Sequence, residues 1–161
     1  MSPVPLWVQV HGKDGWSLPE VERIRPTAET YGFVVVAPDG NLGNPAWLWQ
    51  KEDREVDLTR ANPDIAFVEA LLDHLGRSLC LDLARVFAVG QSQGGYLVNG
   101  LACVLEDRLA TVATATALWD LGERCELERS VPLLHAHGQA DDMVLFDGGF
   151  GPPADLPVSG E

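Results

Sequence analysis

The chain has 161 residues, of which 46% are hydrophobic and 22% are charged, as in an ordinary soluble globular protein. This length is enough for one hydrophobic core and too short for two. Its 24 acidic residues outnumber its 11 basic residues and give a net charge of −13. A surface of that charge repels phosphate backbones and anionic membranes, so we expect neither nucleic acid nor a membrane as a partner.

The first part of the chain predicts a strand, a helix and a second strand. The apolar run Pro5–Val10 is typical of a strand and ends in the glycine-punctuated loop His11–Gly15. A helix is predicted over Leu18–Thr30, with a kink or a restart at Pro26. The apolar, β-branched run Phe33–Ala37 indicates a central parallel strand.

The stretch Asn41–Ala61 has no clean periodicity and predicts a long functional loop. Its Trp47 and Trp49 are candidates for lining a substrate groove, and the alternative is that they pin the loop to the core. After the loop, either Asn62 or Asp64 is expected to cap an amphipathic helix.

The second part of the chain continues the alternation of strands and helices. Strands are predicted at Arg85–Val89, Leu109–Ala115 and Val131–His137, and a helix at Gly95–Leu105. The alternation predicts an α/β fold, a doubly wound, mainly parallel sheet of about five strands with helices on both faces. We expect one domain over residues 1–147 and an irregular tail, rich in glycine and proline, over residues 148–161.

The segment Gly90-Gln91-Ser92-Gln93-Gly94 carries the clearest chemical signal. A serine between a buried strand and a helix, with glycines two residues before and after it, predicts a nucleophile elbow. In that turn Ser92 is the nucleophile, and the backbone N–H of Gln93 is one donor of an oxyanion hole. The alternative is a tight strand-to-helix crossing that carries an ordinary surface serine.

The carboxyl ends of parallel strands meet at one edge of a sheet, which places further candidates beside the elbow. Asp141, in the loop after the last strand, is the candidate acid; Asp142 is the second choice, and a solvated acidic turn is the alternative. The backbone N–H of Lys13 is the candidate second oxyanion donor, followed by that of Gly12.

A general base is missing from this arrangement. The last histidine of the chain is His137, and no histidine follows Asp141. His11 and His137 lie near the expected crevice, where we interpret each as a packing residue rather than a relocated base. His74, on or beside the amphipathic helix, is interpreted as a surface residue.

Neither a metal nor a cofactor is expected. Cys80, Cys103 and Cys125 have no zinc-ligand spacing and, being odd in number, do not indicate a complete disulfide framework. Cys103 is interpreted as a small core residue of the helix after the elbow.

Taken together, these motifs resemble the polyhydroxybutyrate depolymerase and feruloyl esterase group of α/β-hydrolases. The matching pieces are the "HG" loop after the first strand, "YGFVVVAPDG" at Tyr31–Gly40, a tryptophan at Trp49, Asp64–Leu75, Leu81–Ala113 with the elbow, and Cys125–Gly149. The resemblance implies a serine esterase with Ser92 and Asp141 at the nucleophile and acid positions. It also implies secretion, although the N-terminus shows no export signal.

The chain departs from the group's pattern in four respects. Lys13 stands where members usually have a cysteine, and Asp142 where they have a proline. Members are longer at both ends, and their later segment delivers the histidine, so the chain resembles a truncated member. The strands that remain correspond to an order of 2-1-3-4-5, which is itself a complete flavodoxin-like sheet. Exposed sheet edges would then favour aggregation or pairing with a partner chain, a second copy included.

The leading hypothesis is therefore a carboxylic ester hydrolase acting on polyester, feruloyl or short-chain esters through an acyl-enzyme, with its general base missing from the chain. The alternative of a different class is a non-catalytic remnant of the hydrolase fold that binds an ester or a protein. A flavodoxin-like regulator domain is disfavoured, because Gly12–Gly15 lacks the spacing of a phosphate-cradling loop.

Overall fold

The computed structural model describes residues 2–13, 15–40, 47, 57–118 and 125–151. They form a parallel sheet of five strands in the order β2-β1-β3-β4-β5, which confirms the α/β fold class and the expected strand order. The strands are β1 (Val4–Val10), β2 (Val34–Val36), β3 (Leu81–Gln91), β4 (Thr111–Ala115) and β5 (Leu133–Ala136). The helices are α1 (Ser17–Tyr31), α2 (Pro63–Ser78) and α3 (Gln93–Val104).

The hydrophobic core lies between the sheet and the pair α2 and α3. Alternate side chains of the strands point to this face, because successive residues of a strand face opposite sides. The core members contributed by the strands are at most 2% exposed; they are Leu6, Val8, Val10, Val86, Ala88 and Val112. Leu97 and Leu101 of α3 and Ile65 and Leu72 of α2 pack against them.

The opposite face of the sheet carries α1. Trp7 and Val89 on this face line a cleft together with Ile24 of α1. Further along the same face, Leu134 of β5 is 68% exposed. The described helices therefore cover both faces of the sheet, as expected, but the face of α1 is covered less completely.

The structure decides two of the predictions about helices. Asn62, rather than Asp64, caps α2, because its side chain accepts hydrogen bonds from the N–H groups of Asp64 and Ile65. Of the two alternatives at Pro26, the restart is wrong, since α1 continues through it as one helix of 15 residues, and the kink stays a prediction. Pro26 and Glu22, the residue whose carbonyl loses a helical partner, are both exposed, so solvent can satisfy that carbonyl.

The interpretation of the cysteines is also corrected. Cys103, in the last turn of α3, forms a disulfide with Cys125, in the connection between β4 and β5. The two residues are 22 positions apart, and no short spacing motif signals their pairing. Because the third cysteine, Cys80, is exposed and outside the disulfide, the odd cysteine count did not exclude one bridge.

The beginning of the predicted tail folds back on the loop after β5. Val144 and Phe150 form an antiparallel bridge, and the N–H of Gly151 donates to the carbonyl of Met143 over 3.0 Å. Residues 152–161 lie outside the described residues. In the part of the chain that the structure describes, no helix combines the length and the apolarity of a membrane span.

Candidate active site

Ser92 occupies a strained backbone conformation between β3 and α3. Its φ of 52° and ψ of −124° lie in a region that non-glycine residues rarely adopt. Such strain persists only where the surrounding structure holds it, and it is concentrated at functional sites. Ser92 is half-buried and its side chain does not cap α3, so its hydroxyl is not used by the helix that follows.

The glycines around Ser92 are required by close backbone contacts. A Cβ atom at Gly90 would lie 2.3 Å from the carbonyl oxygen of Gly94, and one at Gly94 would lie 2.4 Å from the carbonyl oxygens of Val10 and His11. These contacts press the first turn of α3 against the ends of β3 and β1. The predicted sharp turn is therefore present, with the serine at its apex.

Backbone hydrogen bonds tie the elbow to the ends of the neighbouring strands. The N–H of Ser92 donates to the carbonyl of Ala115 over 2.9 Å, and the N–H of Thr116 donates to that of Ala136 over 2.9 Å. The second link leads directly to the loop after β5. The elbow and the candidate acid loop are thus joined across the carboxyl edge of the sheet through β4.

The loop after β1 lies against the elbow. A Cβ atom at Gly12 would be 3.4 Å from the Cβ of Ser92, which places Lys13, the next residue, near Ser92. The Nδ1 of His11 donates to the carbonyl of Gly12 over 2.6 Å, and its Nε2 accepts from the N–H of Gly40 over 3.0 Å. His11 is 2% exposed and uses both ring nitrogens, so it packs this loop and is not placed to act as a base.

Trp47 is buried beneath the same loop. It is 3% exposed, its indole N–H donates to the carbonyl of His11 over 2.9 Å, and its ring centroid is 4.9 Å from that of His11. Its backbone N–H donates to the side-chain oxygen of Gln93 over 3.3 Å. This position corresponds to the alternative in which the tryptophan pins the loop to the core. Trp49 lies outside the described residues.

The N–H of Gln93 belongs to the first turn of α3, in which backbone donors have no partner within the helix. The first helical hydrogen bond runs from the N–H of Tyr96 to the carbonyl of Ser92. The positive end of the helix dipole also lies at this turn. The location suits an oxyanion donor, and the assignment of Gln93 and Lys13 to that role stays a prediction.

Asp141 is held in the loop after β5 by its own backbone. Its Oδ1 accepts from the N–H groups of Met143 (3.0 Å) and Val144 (2.9 Å). These two hydrogen bonds, and then the neighbouring His137, hold the pKa of the Asp141 carboxyl below its ordinary value of 3.8. Asp141 is therefore an ionised acceptor at neutral pH, whereas Asp142 is exposed. This arrangement favours Asp141 over Asp142 as the candidate acid.

The remaining histidines near the crevice form a continuous hydrogen-bond chain. The hydroxyl of Thr114 lies 2.8 Å from Nδ1 of His135, whose Nε2 lies 3.2 Å from Nδ1 of His137. The Nε2 of His137 in turn lies 2.8 Å from the carbonyl of Val144 and 3.8 Å from Oδ2 of Asp141. Burial, and then the proximity of His137, lower the pKa of His135 below 6.5.

No histidine in the described part of the chain hydrogen-bonds Ser92. The chain has four histidines: His11, His135 and His137 are engaged as above, and His74 is exposed on α2. The elbow and the candidate acid therefore lie at this edge with no described histidine hydrogen-bonded to Ser92. The Thr114–His135 pair was not predicted, although alternation along β5 puts His135 and His137 on one side of the strand.

An open crevice of about 770 Å³ lies between α3 and the acid loop. Tyr96, one turn after Ser92, lines the crevice together with His135, His137, Leu118 and Phe146. Burial, and then the negative charge of Asp141, raise the pKa of the Tyr96 hydroxyl above 10.0, so this group stays a neutral donor. The crevice thus offers an apolar wall with a few polar groups, as ligand sites commonly do.

Comparison with curated proteins finds esterases. The chain is 32% identical over 163 aligned positions to NocK of Nocardia uniformis subsp. tsuyamanensis, a candidate esterase, covering 98% of the chain and 46% of that protein. It is 29% identical to feruloyl esterase B of Piromyces equi, covering 73% of the chain and 22% of that protein. The chain spans less than half of the length of either relative. No family model matches the chain.

Solved structures give the same fold. Esterase PE8 superposes with a TM-score of 0.71 at 24% identity, over 91% of the chain and 74% of that structure. SOBER1 of Arabidopsis thaliana superposes with a TM-score of 0.67 at 20% identity, over 89% of the chain and 78% of that structure. At these identities the likeness shows the α/β fold alone.

Proposed function

We propose that this chain, which has the α/β-hydrolase fold and is related to feruloyl esterases, carries the nucleophile and the acid of a serine carboxylic ester hydrolase. The observation that carries the proposal is the strained Ser92, held at the carboxyl edge of the sheet by close-packed glycines and a hydrogen bond to Ala115. A merely structural turn would not need a non-glycine residue in that conformation.

The proposed reaction proceeds through an acyl-enzyme. The Oγ of Ser92 attacks the ester carbonyl carbon while a base takes its proton, and the N–H groups of Gln93 and Lys13 stabilise the oxyanion. Collapse of the tetrahedral intermediate breaks the bond to the alcohol, which leaves with the proton returned by the base. Water activated by the same base then attacks the acyl group, and the carboxylic acid is released.

Asp141 has the role of orienting that base. Its Oδ1 is occupied by two backbone N–H groups, and its Oδ2 lies beyond hydrogen-bond distance from His137. An imidazole placed between Ser92 and Oδ2 would complete the relay. Since the described histidines do not occupy that position, we propose that the base comes from outside these contacts.

The substrates that fit this proposal are esters of the feruloyl or short-chain type. Feruloyl esterase B and the acetylxylan esterase/xylanase XynS20E of Neocallimastix patriciarum support this substrate class, the latter being 27% identical over 88% of the chain. A polyester such as polyhydroxybutyrate and a secreted location are further proposals that rest on the family resemblance. Pairing of two copies through the edge strand β5, whose Leu133 and Leu134 are exposed, is proposed as well.

Chemical rescue tests the proposal. Hydrolysis of p-nitrophenyl acetate is measured for the chain, for Ser92→Ala and for Ser78→Ala, each with and without added imidazole. Free imidazole itself cleaves this ester, so the Ser92→Ala sample supplies the background rate. We expect imidazole to accelerate the chain and the Ser78→Ala variant well above that background. Equal rates for the chain and for Ser92→Ala, both folded, would contradict catalysis by Ser92.

One observation favours a second function. Because no described histidine contacts Ser92, the fold is also suited to a non-catalytic module that binds an ester or a protein. Such a module would bind an ester in the crevice beside Tyr96 without releasing alcohol. Binding detected by calorimetry, with no turnover in the presence of imidazole, would support it.

A further inference from the structure

The backbone of Val144 links Asp141 to His137 at the end of the sheet. The N–H of Val144 donates to Oδ1 of Asp141 over 2.9 Å, and its carbonyl lies 2.8 Å from Nε2 of His137. His137 follows directly after β5, and its side chain is only 7% exposed. The rigid end of the sheet is thereby connected through one imidazole to the backbone that holds the candidate acid.

In the hydrogen-bond series from Thr114 to Val144, the donors and acceptors allow one distribution of protons when both imidazoles are neutral. A carbonyl can only accept, so Nε2 of His137 donates to Val144. In a neutral ring Nδ1 must then accept, which requires Nε2 of His135 to donate to it. Nδ1 of His135 accepts in turn, so the hydroxyl of the buried Thr114 is the donor that begins the chain.

We propose that His137 is a positioning residue for Asp141, and that Thr114 and His135 hold its imidazole in the one neutral tautomer that can donate to the Val144 carbonyl. The proposal rests on the assignment of Asp141 as the acid of the esterase. His137 acts through the loop, because its distance of 3.8 Å from Oδ2 leaves that oxygen to the catalytic base.

Acid should disturb this arrangement. A second proton on His137 would sit on its Nδ1, facing the N–H at Nε2 of His135, and would break their hydrogen bond. A second proton on His135 would instead sit on Nδ1, facing the Thr114 hydroxyl, which would then have to accept rather than donate. The titratable groups that face the pair are Asp141 and Asp147 of the loop and Tyr96 of α3; β4 contributes only the neutral Thr114. The carboxylates favour protonation, whereas burial of His135 opposes it.

The first test needs no variant. Long-range ¹H–¹⁵N NMR correlations at neutral pH report which ring nitrogen of each histidine is protonated. We expect His135 and His137 both to be neutral with the proton on Nε2. A proton on Nδ1 of His137 would overturn the proposal, because the Val144 carbonyl would then face a lone pair.

The second test compares His137→Leu with His137→Gln, and uses His74→Leu as a matched control on the exposed face of α2. Glutamine can still donate to the Val144 carbonyl, whereas leucine cannot. In the leucine variant we expect amide exchange of Val144 to be faster by about fivefold. The glutamine variant and the control should match the unmodified chain.

Unchanged exchange of Val144 in a folded leucine variant would overturn the proposal, as would a glutamine variant that behaves like leucine. If leucine prevents folding, the tautomer measurement decides alone. None of these readouts requires turnover, so a failure of the esterase assignment, seen as unreactive Ser92, is distinguishable from a failure of the positioning role.

Discussion

The disulfide between Cys103 and Cys125 should contribute a large share of the stability of this fold. It closes a loop over a separation of 22 residues, and the chain-entropy relation for that length gives about 3 kcal/mol. For a protein of this size, that loss corresponds to a fall in Tm of roughly 10 °C. The bridge also anchors the connection from β4 to β5, which leads to the strand that carries His135.

The assay is urea and thermal unfolding of the chain and of the double variant Cys103→Ala/Cys125→Ala. Cys80→Ala is the control, because Cys80 is exposed and outside the bridge, and its unfolding free energy should change by less than about 0.5 kcal/mol. Thiol titration of the denatured, unreduced chain should find one thiol, and reduction should raise this to three. Three thiols before reduction would show that the disulfide is absent, and an unchanged unfolding midpoint in the double variant would show that it does not stabilise the fold.

The other predictions concern backbone strain and pH. Gly94→Ala should lower the free energy of unfolding by about 3 kcal/mol or more, because its Cβ would meet backbone oxygens at 2.4 Å. Gly32→Ala, at a φ of 70° with no neighbour within 4 Å, should lower it by about 1 kcal/mol. Urea unfolding of both variants distinguishes the two. Ser92→Gly should stabilise the fold by about 1 kcal/mol relative to Ser92→Ala, since it relieves the strain at φ 52°; equal stabilities would argue against strain. Because the pKa of His135 is lowered, its contribution to the folding stability is complete above pH 6.5 and falls as the pH drops below that value. The lowered pKa of Asp141 adds a second loss of stability below pH 3.8. Unfolding followed from pH 8 to pH 3 checks both, and a flat profile would contradict them.

The elbow and the alternation of strands and helices were predictable because their determinants are local, whereas the strand order was expected from the family resemblance. Glycine spacing around Ser92 lies within five residues, and the alternation of strands and helices is a repeated pattern in the sequence. The start of β3 was not predicted, since the pairing of Leu81 with Val4 depends on a neighbouring strand rather than on the mixed residues that follow it.

The features that escaped prediction depend on contacts between distant segments. The disulfide needs the end of α3 to meet the connection after β4, and no sequence spacing encodes that meeting. Thr114 faces His135 only because β4 and β5 pair in a particular register. Trp47 was predicted with two alternatives, and its hydrogen bond to the His11 carbonyl, across 36 positions, accounts for its burial.

Covalent labelling determines whether Ser92 is a nucleophile. The folded chain is treated with a fluorophosphonate in the presence of imidazole, and the intact mass and the labelled peptide are determined by mass spectrometry. We expect one adduct, on Ser92, which is absent in Ser92→Ala and retained in Ser78→Ala. A folded chain that carries no adduct at Ser92 after prolonged treatment would contradict this expectation.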